Sequence, residues 1–201
     1  MVIILDNGHG LETSGKRSPK WADGKQLFEY EFNRDIVKRI ARKLNAVGIP
    51  YFVLVPEKSD IPLSARGKRA NEYVNKHGEC LLISIHANAG GGTGFEAYSY
   101  HGNSKADKFA EMLYEEAEKT LKGFKVRKDL SDGDADKESN FYILKHTKCP
   151  AVLSENLFMD TERDCRFLLS DDGREAIATL HFNAIKRYYN DEERTRNARL
   201  H

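Results

Sequence analysis

Four short apolar runs punctuate the chain, at residues 2–5, 51–55, 81–85 and 151–153. Runs of this length without polar alternation predict strands buried on both faces, as in a mostly parallel sheet. A fifth segment, residues 95–100, sets Phe95, Ala97 and Ser99 against Glu96, Tyr98 and Tyr100 and predicts a strand with one wetter face. Residues 141–144 predict a short sixth strand. Between these runs the period becomes that of a helix. Phe32, Ile36, Val37, Ile40, Ala41, Leu44 and Val47 recur at steps of three and four until Gly48 stops the pattern. Residues 64–77 before Gly78, residues 106–121 before Gly123, and residues 171–189 predict three more helices. Strands alternating with helices give an α/β fold class: a single domain with a mostly parallel, twisted sheet and helices on both faces.

Length agrees with this picture, since 201 residues suffice for one full hydrophobic core. The domain is expected over residues 1–190, with the charged residues 191–201 as a frayed tail. Residues 125–140 form the longest irregular stretch and are expected as a flexible loop beside a site. Asp132, Asp134 and Asp136 within it mimic the start of a calcium loop. That reading fails, because Lys137 stands where an EF-hand needs glycine and Ile143 where it needs glutamate.

Charge and cysteine usage narrow the partners. Lys and Arg total 32 against 31 Asp and Glu, so no basic excess argues for nucleic acid or an anionic membrane surface. Cys80, Cys149 and Cys165 are odd in number and widely spaced, which argues against a disulfide framework or a cysteine-rich zinc site. The amino-terminal apolar run lacks a basic leader and is too short for a signal peptide or a membrane span. The expectation is therefore a protein made in the cytoplasm.

Three polar segments follow predicted strands directly: Asp6-Asn7-Gly8-His9-Gly10, His86-Ala87-Asn88-Ala89 and Ser154-Glu155-Asn156. In an open α/β sheet, ligands bind outside the carboxyl ends of the strands. Parallel strands would bring His9, His86 and Glu155 to that edge together. Helix geometry adds Glu29, which shares a face with Phe32, Asn33, Ile36 and Val37, whereas Glu31 falls outward with Asp35, Lys38 and Arg42. An inward carboxylate needs a charged partner, because burying it alone is costly. A metal would supply one. Two histidines and a carboxylate are a set that catalytic zinc uses, and a second carboxylate such as Glu155 can carry a proton from water to a leaving amine. Each residue alone has a plainer reading: a loop histidine, a strand-end histidine, a partner for the helix dipole, a surface carboxylate. Of the other histidines, His77 sits at a helix end, His101 and His146 in polar turns, His181 within the last helix and His201 at the terminus. Tyr98, Tyr100 and Tyr142 are expected as packing or rim residues.

Taken in order, Leu5-Asp6-Asn7-Gly8-His9-Gly10, Glu29-Tyr30-Glu31-Phe32-Asn33, residues 66–71, Ser84-Ile85-His86-Ala87-Asn88, Gly94-Phe95-Glu96 and residues 150–158 resemble the zinc-dependent N-acetylmuramoyl-L-alanine amidases of the amidase-3 type. That family includes bacterial cell-wall hydrolases and phage endolysins. The resemblance implies one zinc held by His9, Glu29 and His86, with Glu155 as the catalytic glutamate and Arg66, Asn71 and Phe95 in the scaffold. The implied substrate is peptidoglycan, cut between N-acetylmuramic acid and L-alanine of the stem peptide. With no leader, it further implies a phage or prophage lysin that reaches the wall through a holin. Leu11 and the pair Asn156-Leu157 depart from the family, where glycines are common, and bear on substrate preference. Two rivals remain: a zinc carboxypeptidase on stem peptides, and a non-catalytic wall-binding module of the same fold.

Overall fold

The computed structural model describes residues 1–102, 105–131, 133 and 135–199. Among these residues six strands form one sheet in the order β2-β1-β3-β6-β4-β5. They are β1 (Val2–Asn7), β2 (Tyr51–Val53), β3 (Cys80–Asn88), β4 (Phe95–Ser99), β5 (Lys137–Glu138) and β6 (Ala151–Phe158). The helices are α1 (Glu29–Ala46), α2 (Leu63–His77), α3 (Lys105–Thr120), α4 (Tyr142–His146), α5 (Glu162–Leu169) and α6 (Asp171–Ala198). Strands β2, β1, β3 and β6 run parallel. Strand β4 runs against β6 and carries β5 parallel to itself at the edge.

The uninterrupted apolar runs are explained by two cores. Ile3, Leu5, Leu81, Ile83, Ile85 and Val152 pack on α1, α3, α5 and α6. Ile4, Leu82, Ala151 and Leu153 face the other way, onto Ala70 of α2 and Ile143 and Leu144 of α4. A strand buried on both sides has no use for polar alternation. By the same two-residue period, Ser84, His86 and Glu155 fall on the α2 and α4 side.

The departures from expectation have local causes. Residues 141–144 are not a strand: Phe141 caps α4, and the amides of Leu144 and Lys145 bond back to its carbonyl. An apolar run of four residues fits one helical turn as well as a strand, and its period cannot separate them. Helix α5 was not anticipated; eight residues give too short a period, although Cys165 and Leu168 are buried. The two ends of the segment 125–140 are tied to the sheet edge. Phe95 N donates to Lys125 O, Arg127 N donates to Phe95 O, and Ser139 N donates to Ser99 O. Asp132 and Asp134 lie outside the described residues. On the predicted wetter face of β4, Tyr98 is half-buried and Tyr100 exposed, but Glu96 is buried, and Arg127 and Lys137 each approach its Oε1 at 2.6 Å.

Residues 191–198, expected as frayed, continue α6. No Gly or Pro interrupts them. Lys105 reaches Glu192 at 2.9 Å, and the amino terminus reaches Glu193 at 3.5 Å. No described helix is long and apolar enough to cross a membrane.

Candidate metal centre

His9 follows β1 in the left-handed region, at φ 61°. That conformation costs a non-glycine residue about 1–2 kcal/mol, so it persists only where its surroundings hold it. Here two guanidinium groups do so: Arg34 Nη1 and Arg66 Nη2 donate to the His9 carbonyl at 3.0 and 3.1 Å. Arg66 is itself buried, and its Nη1 donates to Asp6 Oδ1 at 2.7 Å and to Asn7 O at 2.8 Å. Ser84 donates to the other Asp6 oxygen at 2.6 Å. The end of β1, the turn after it and α2 are thus one charged, hydrogen-bonded block.

Glycine before His9 has a steric reason. A Cβ on Gly8 would lie 2.1 Å from His86 Cε1, so only glycine lets the β1 turn pass under that ring. On Gly10 a Cβ would lie 2.1 Å from the backbone nitrogen of Asp60.

Glu29 opens α1 and faces inward, 1% exposed, while Glu31 is exposed, as the helical period predicts. Its amide donates to Lys16 O at 3.0 Å, which anchors the helix start to the loop after His9. Glu29 Oε1 lies 3.0 Å from His86 Nδ1, 3.3 Å from His9 Nε2 and 3.3 Å from the Ala87 amide. The two imidazoles meet edge to face with centroids 4.8 Å apart. Ligand atoms from His9, Glu29 and His86 all lie within 4.8 Å of one another.

Strands β3 and β6 carry on through the polar residues after their apolar runs, so His86 and Glu155 stand within the sheet rather than beyond it. They are direct register partners, and Glu96 of β4 pairs with Glu155 from the other side. One step later β6 accommodates an extra residue: the register moves from His86↔Glu155 to Asn88↔Phe158. Leu157 sits in this bulge at φ 62°, fully buried. Asn156 Nδ2 donates to His86 O at 2.9 Å and closes the gap.

The electrostatics separate the two glutamates. Burial works to raise the Glu29 pKa, but the rings of His86 and His9 outweigh it and hold the carboxyl well below the usual range. For His86, burial favours the neutral ring, yet the Glu29 carboxylate beside it wins and raises its pKa. Glu155 is pushed up to about 7, first by burial, with the nearby Glu29 charge adding to it against the pull of His86. One carboxylate is therefore held ionised while the other is poised near neutrality.

The donor set fits a metal. Among the described residues, Glu29 Oε2 and His9 Nε2 are buried without a hydrogen-bond partner, an expensive condition that a cation would relieve. Two imidazoles and one carboxylate are a catalytic zinc set that leaves a fourth position for water.

Comparison with known proteins decides the family. The model of the amidase-3 family, described as N-acetylmuramoyl-L-alanine amidase, matches residues 3–187. The chain belongs to that family. The amidase is 31% identical over 191 residues to N-acetylmuramoyl-L-alanine amidase CwlM of Bacillus licheniformis, covering 94% of this chain and 68% of that one. It is 30% identical to the endolysin of Bacillus phage SPP1, covering 94% of this chain and 66% of the endolysin. Among solved structures, an N-acetylmuramoyl-L-alanine amidase from Clostridium difficile 630 superposes with a TM-score of 0.80 at 23% identity, covering 94% and 96% of the two chains.

The structure brings the residues read from sequence for the site close together. His9, Glu29 and His86 converge, and Glu155 stands one strand away. Of the expected scaffold residues, Phe95 is buried, Asn71 holds the His146 carbonyl at 2.7 Å, and Arg66 also forms part of the cleft wall. The remaining histidines with described surroundings lie elsewhere: His77 stacks on Tyr73, His146 on Tyr142, His101 pairs with Glu138, and His181 is buried under β6. Tyr142 lines the cleft and Tyr98 donates to Glu96. Lys16, Asp6 and Ser84 line the cleft and were not picked out by sequence. Asp6 lay inside a matched motif, whereas nothing in the sequence marked Lys16.

Proposed function

We propose that this chain is a zinc-dependent peptidoglycan hydrolase that cuts the amide joining the lactyl group of N-acetylmuramic acid to L-alanine of the stem peptide. The observation that carries the reading is one cleft of about 410 Å³ lined by His9, His86 and Glu155, with Glu29 behind them completing the ligand set. Bound zinc would polarise the amide carbonyl and bring water near a pKa of about 7.

The chain's own residues supply the rest. Among the described residues Glu155 Oε2 is buried with no hydrogen-bond partner, which leaves it open to accept the proton of an attacking water. A pKa near 7 lets the same carboxyl give that proton up again, to the alanine nitrogen as the C–N bond breaks. Asn156 and Gly8 hold the His86 backbone and ring in place, and the Arg66 and Arg34 block fixes His9. Ile61, Pro62, Leu63, Phe141 and Ile143 line the cleft with apolar surface suited to the methyl-bearing lactyl and alanyl groups.

The test is Glu155→Gln, which keeps the shape of the side chain but cannot take a proton. We expect turnover of purified sacculi to fall by about 10²–10⁴-fold, with zinc content unchanged. Full activity in the variant would refute the assigned role. Mass analysis of wild-type products identifies the bond: intact stem peptides mark an amidase, single amino acids a carboxypeptidase, and binding without products a wall-binding module.

A further inference from the structure

Among the described residues, Arg66 and Lys16 are the arginine and lysine that line the cleft. Arg66 is spent: Nε donates to Ile61 O, Nη1 to Asp6 Oδ1 and Asn7 O, and Nη2 to His9 O. Lys16 is not. Its ammonium lies 3.9 Å from Glu29 Oε2, too far for a hydrogen bond, and its side chain is 44% exposed. The backbone that presents it is fixed from both sides. Lys16 O accepts the first amide of α1, Gly15 turns the chain at φ 76°, and Arg17 bridges Phe28. A long side chain is thus mounted on a hydrogen-bonded base, beside Glu29 Oε2, which has no hydrogen-bond partner among the described residues.

An ion pair at 3.9 Å with a half-exposed partner contributes little to stability. A metal held by His9, Glu29 and His86 would itself be the charge partner of Glu29, so neutralising that carboxylate does not require Lys16. What the position does offer is an ammonium with three N–H donors, 3.9 Å from Glu29 Oε2 and lining the same cleft as His9, His86 and Glu155. Negative charge builds on the carbonyl oxygen of the scissile amide as water attacks, and donors aimed at such an oxygen are among the largest single contributors to catalysis.

Resting on the hydrolase reading above, we propose that Lys16 is a further catalytic residue, whose ammonium binds the carbonyl oxygen of the scissile amide as it becomes negative. Glu155 moves the proton and Lys16 meets the charge. Lys16 itself is not required to gain or lose a proton.

The experiment compares wild type, Lys16→Met and Lys16→Arg, all loaded with zinc, on a soluble muramyl peptide. Three quantities are read: the split between kcat and KM, zinc affinity by competition with a chelating dye, and affinity for acetohydroxamate, an anionic zinc ligand lacking sugar and peptide. For Lys16→Met we expect kcat to fall about 10²-fold with KM and zinc affinity within about threefold. Acetohydroxamate should bind about tenfold more weakly, and Lys16→Arg should recover part of both losses. The proposal is overturned if kcat is unchanged, if the loss lies in KM, if it follows weaker zinc binding, or if acetohydroxamate affinity does not move. Wild type that fails to cleave muramyl peptide while acetohydroxamate binding depends on Lys16 would leave this cation in place and refute the choice of bond instead.

Discussion

Leu157 sets two energies against each other at one residue. Its φ of 62° costs an L-amino acid about 1–2 kcal/mol, whereas glycine adopts it freely. Its side chain is fully buried in the core formed with α1, α3, α5 and α6. Leu157→Gly would relieve the first and forfeit the second. Removing a buried leucine to alanine costs about 2–5 kcal/mol, and going on to glycine adds about 0.4–1 kcal/mol through the freer unfolded chain. With strain relief subtracted, the net is about 3 kcal/mol of destabilisation, so packing wins over backbone strain. For a chain of this size that corresponds to a fall in Tm on the order of 6–12 °C. Urea unfolding of the metal-free protein measures it. Leu157→Ala is the diagnostic companion, since it loses most of the side chain but keeps the strained backbone. At an ordinary strand position alanine outperforms glycine. Here glycine should be the more stable of the two by about 0.5–1 kcal/mol. Alanine above glycine, or glycine equal to wild type, would refute this account of the bulge.

Gly8→Ala should displace the His86 ring, because the new methyl would overlap it. A loss of about 10–100-fold in zinc affinity is expected with the fold retained by circular dichroism, and wild-type affinity would show that the ring has room to move. His181 gives a pH signature. Burial drives its pKa down to about 4, against a partial upward pull from Ile177 O. A base with a depressed folded pKa stabilises above its unfolded value and loses that contribution as pH falls. Stability should therefore drop between pH ~6.5 and ~4, by at most about 3 kcal/mol. The difference in unfolding free energy between wild type and His181→Gln should shrink over that window; a pH-independent difference would dismiss this source.

Much of the site could be read before any coordinates because its residues announce themselves locally. Glu29 followed from a helical period sustained over several turns, and His9 from glycines that mark a close backbone approach. The ends of β3 and β6 were less legible. Main-chain pairing continues through His86 and Glu155 regardless of side-chain polarity, so apolar runs marked where these strands begin but not where they stop. Lys16 was silent for a different reason: its position depends on the bridge from Arg17 to Phe28 and on Glu29 bonding its carbonyl. Those contacts join separate segments and leave no periodic trace. Glu96 looked wet because alternation cannot foresee Arg127 and Lys137 folding back over it.

The direct pairing of His86 with Glu155 also binds assembly of the enzyme to its activity. A strand that slips by one residue turns every side chain to the opposite face. Were β6 to settle one position out of step on β3, Glu155, the proposed proton carrier, would point into the core while His86 stayed in the cleft, and the bulge at Leu157 would have no gap to fill. A chain misassembled at this seam should therefore turn over at least about 10²–10⁴-fold more slowly than a correctly paired one. During refolding, recovered turnover should count correctly zipped β3–β6 seams molecule by molecule, lagging any signal that reports only collapse.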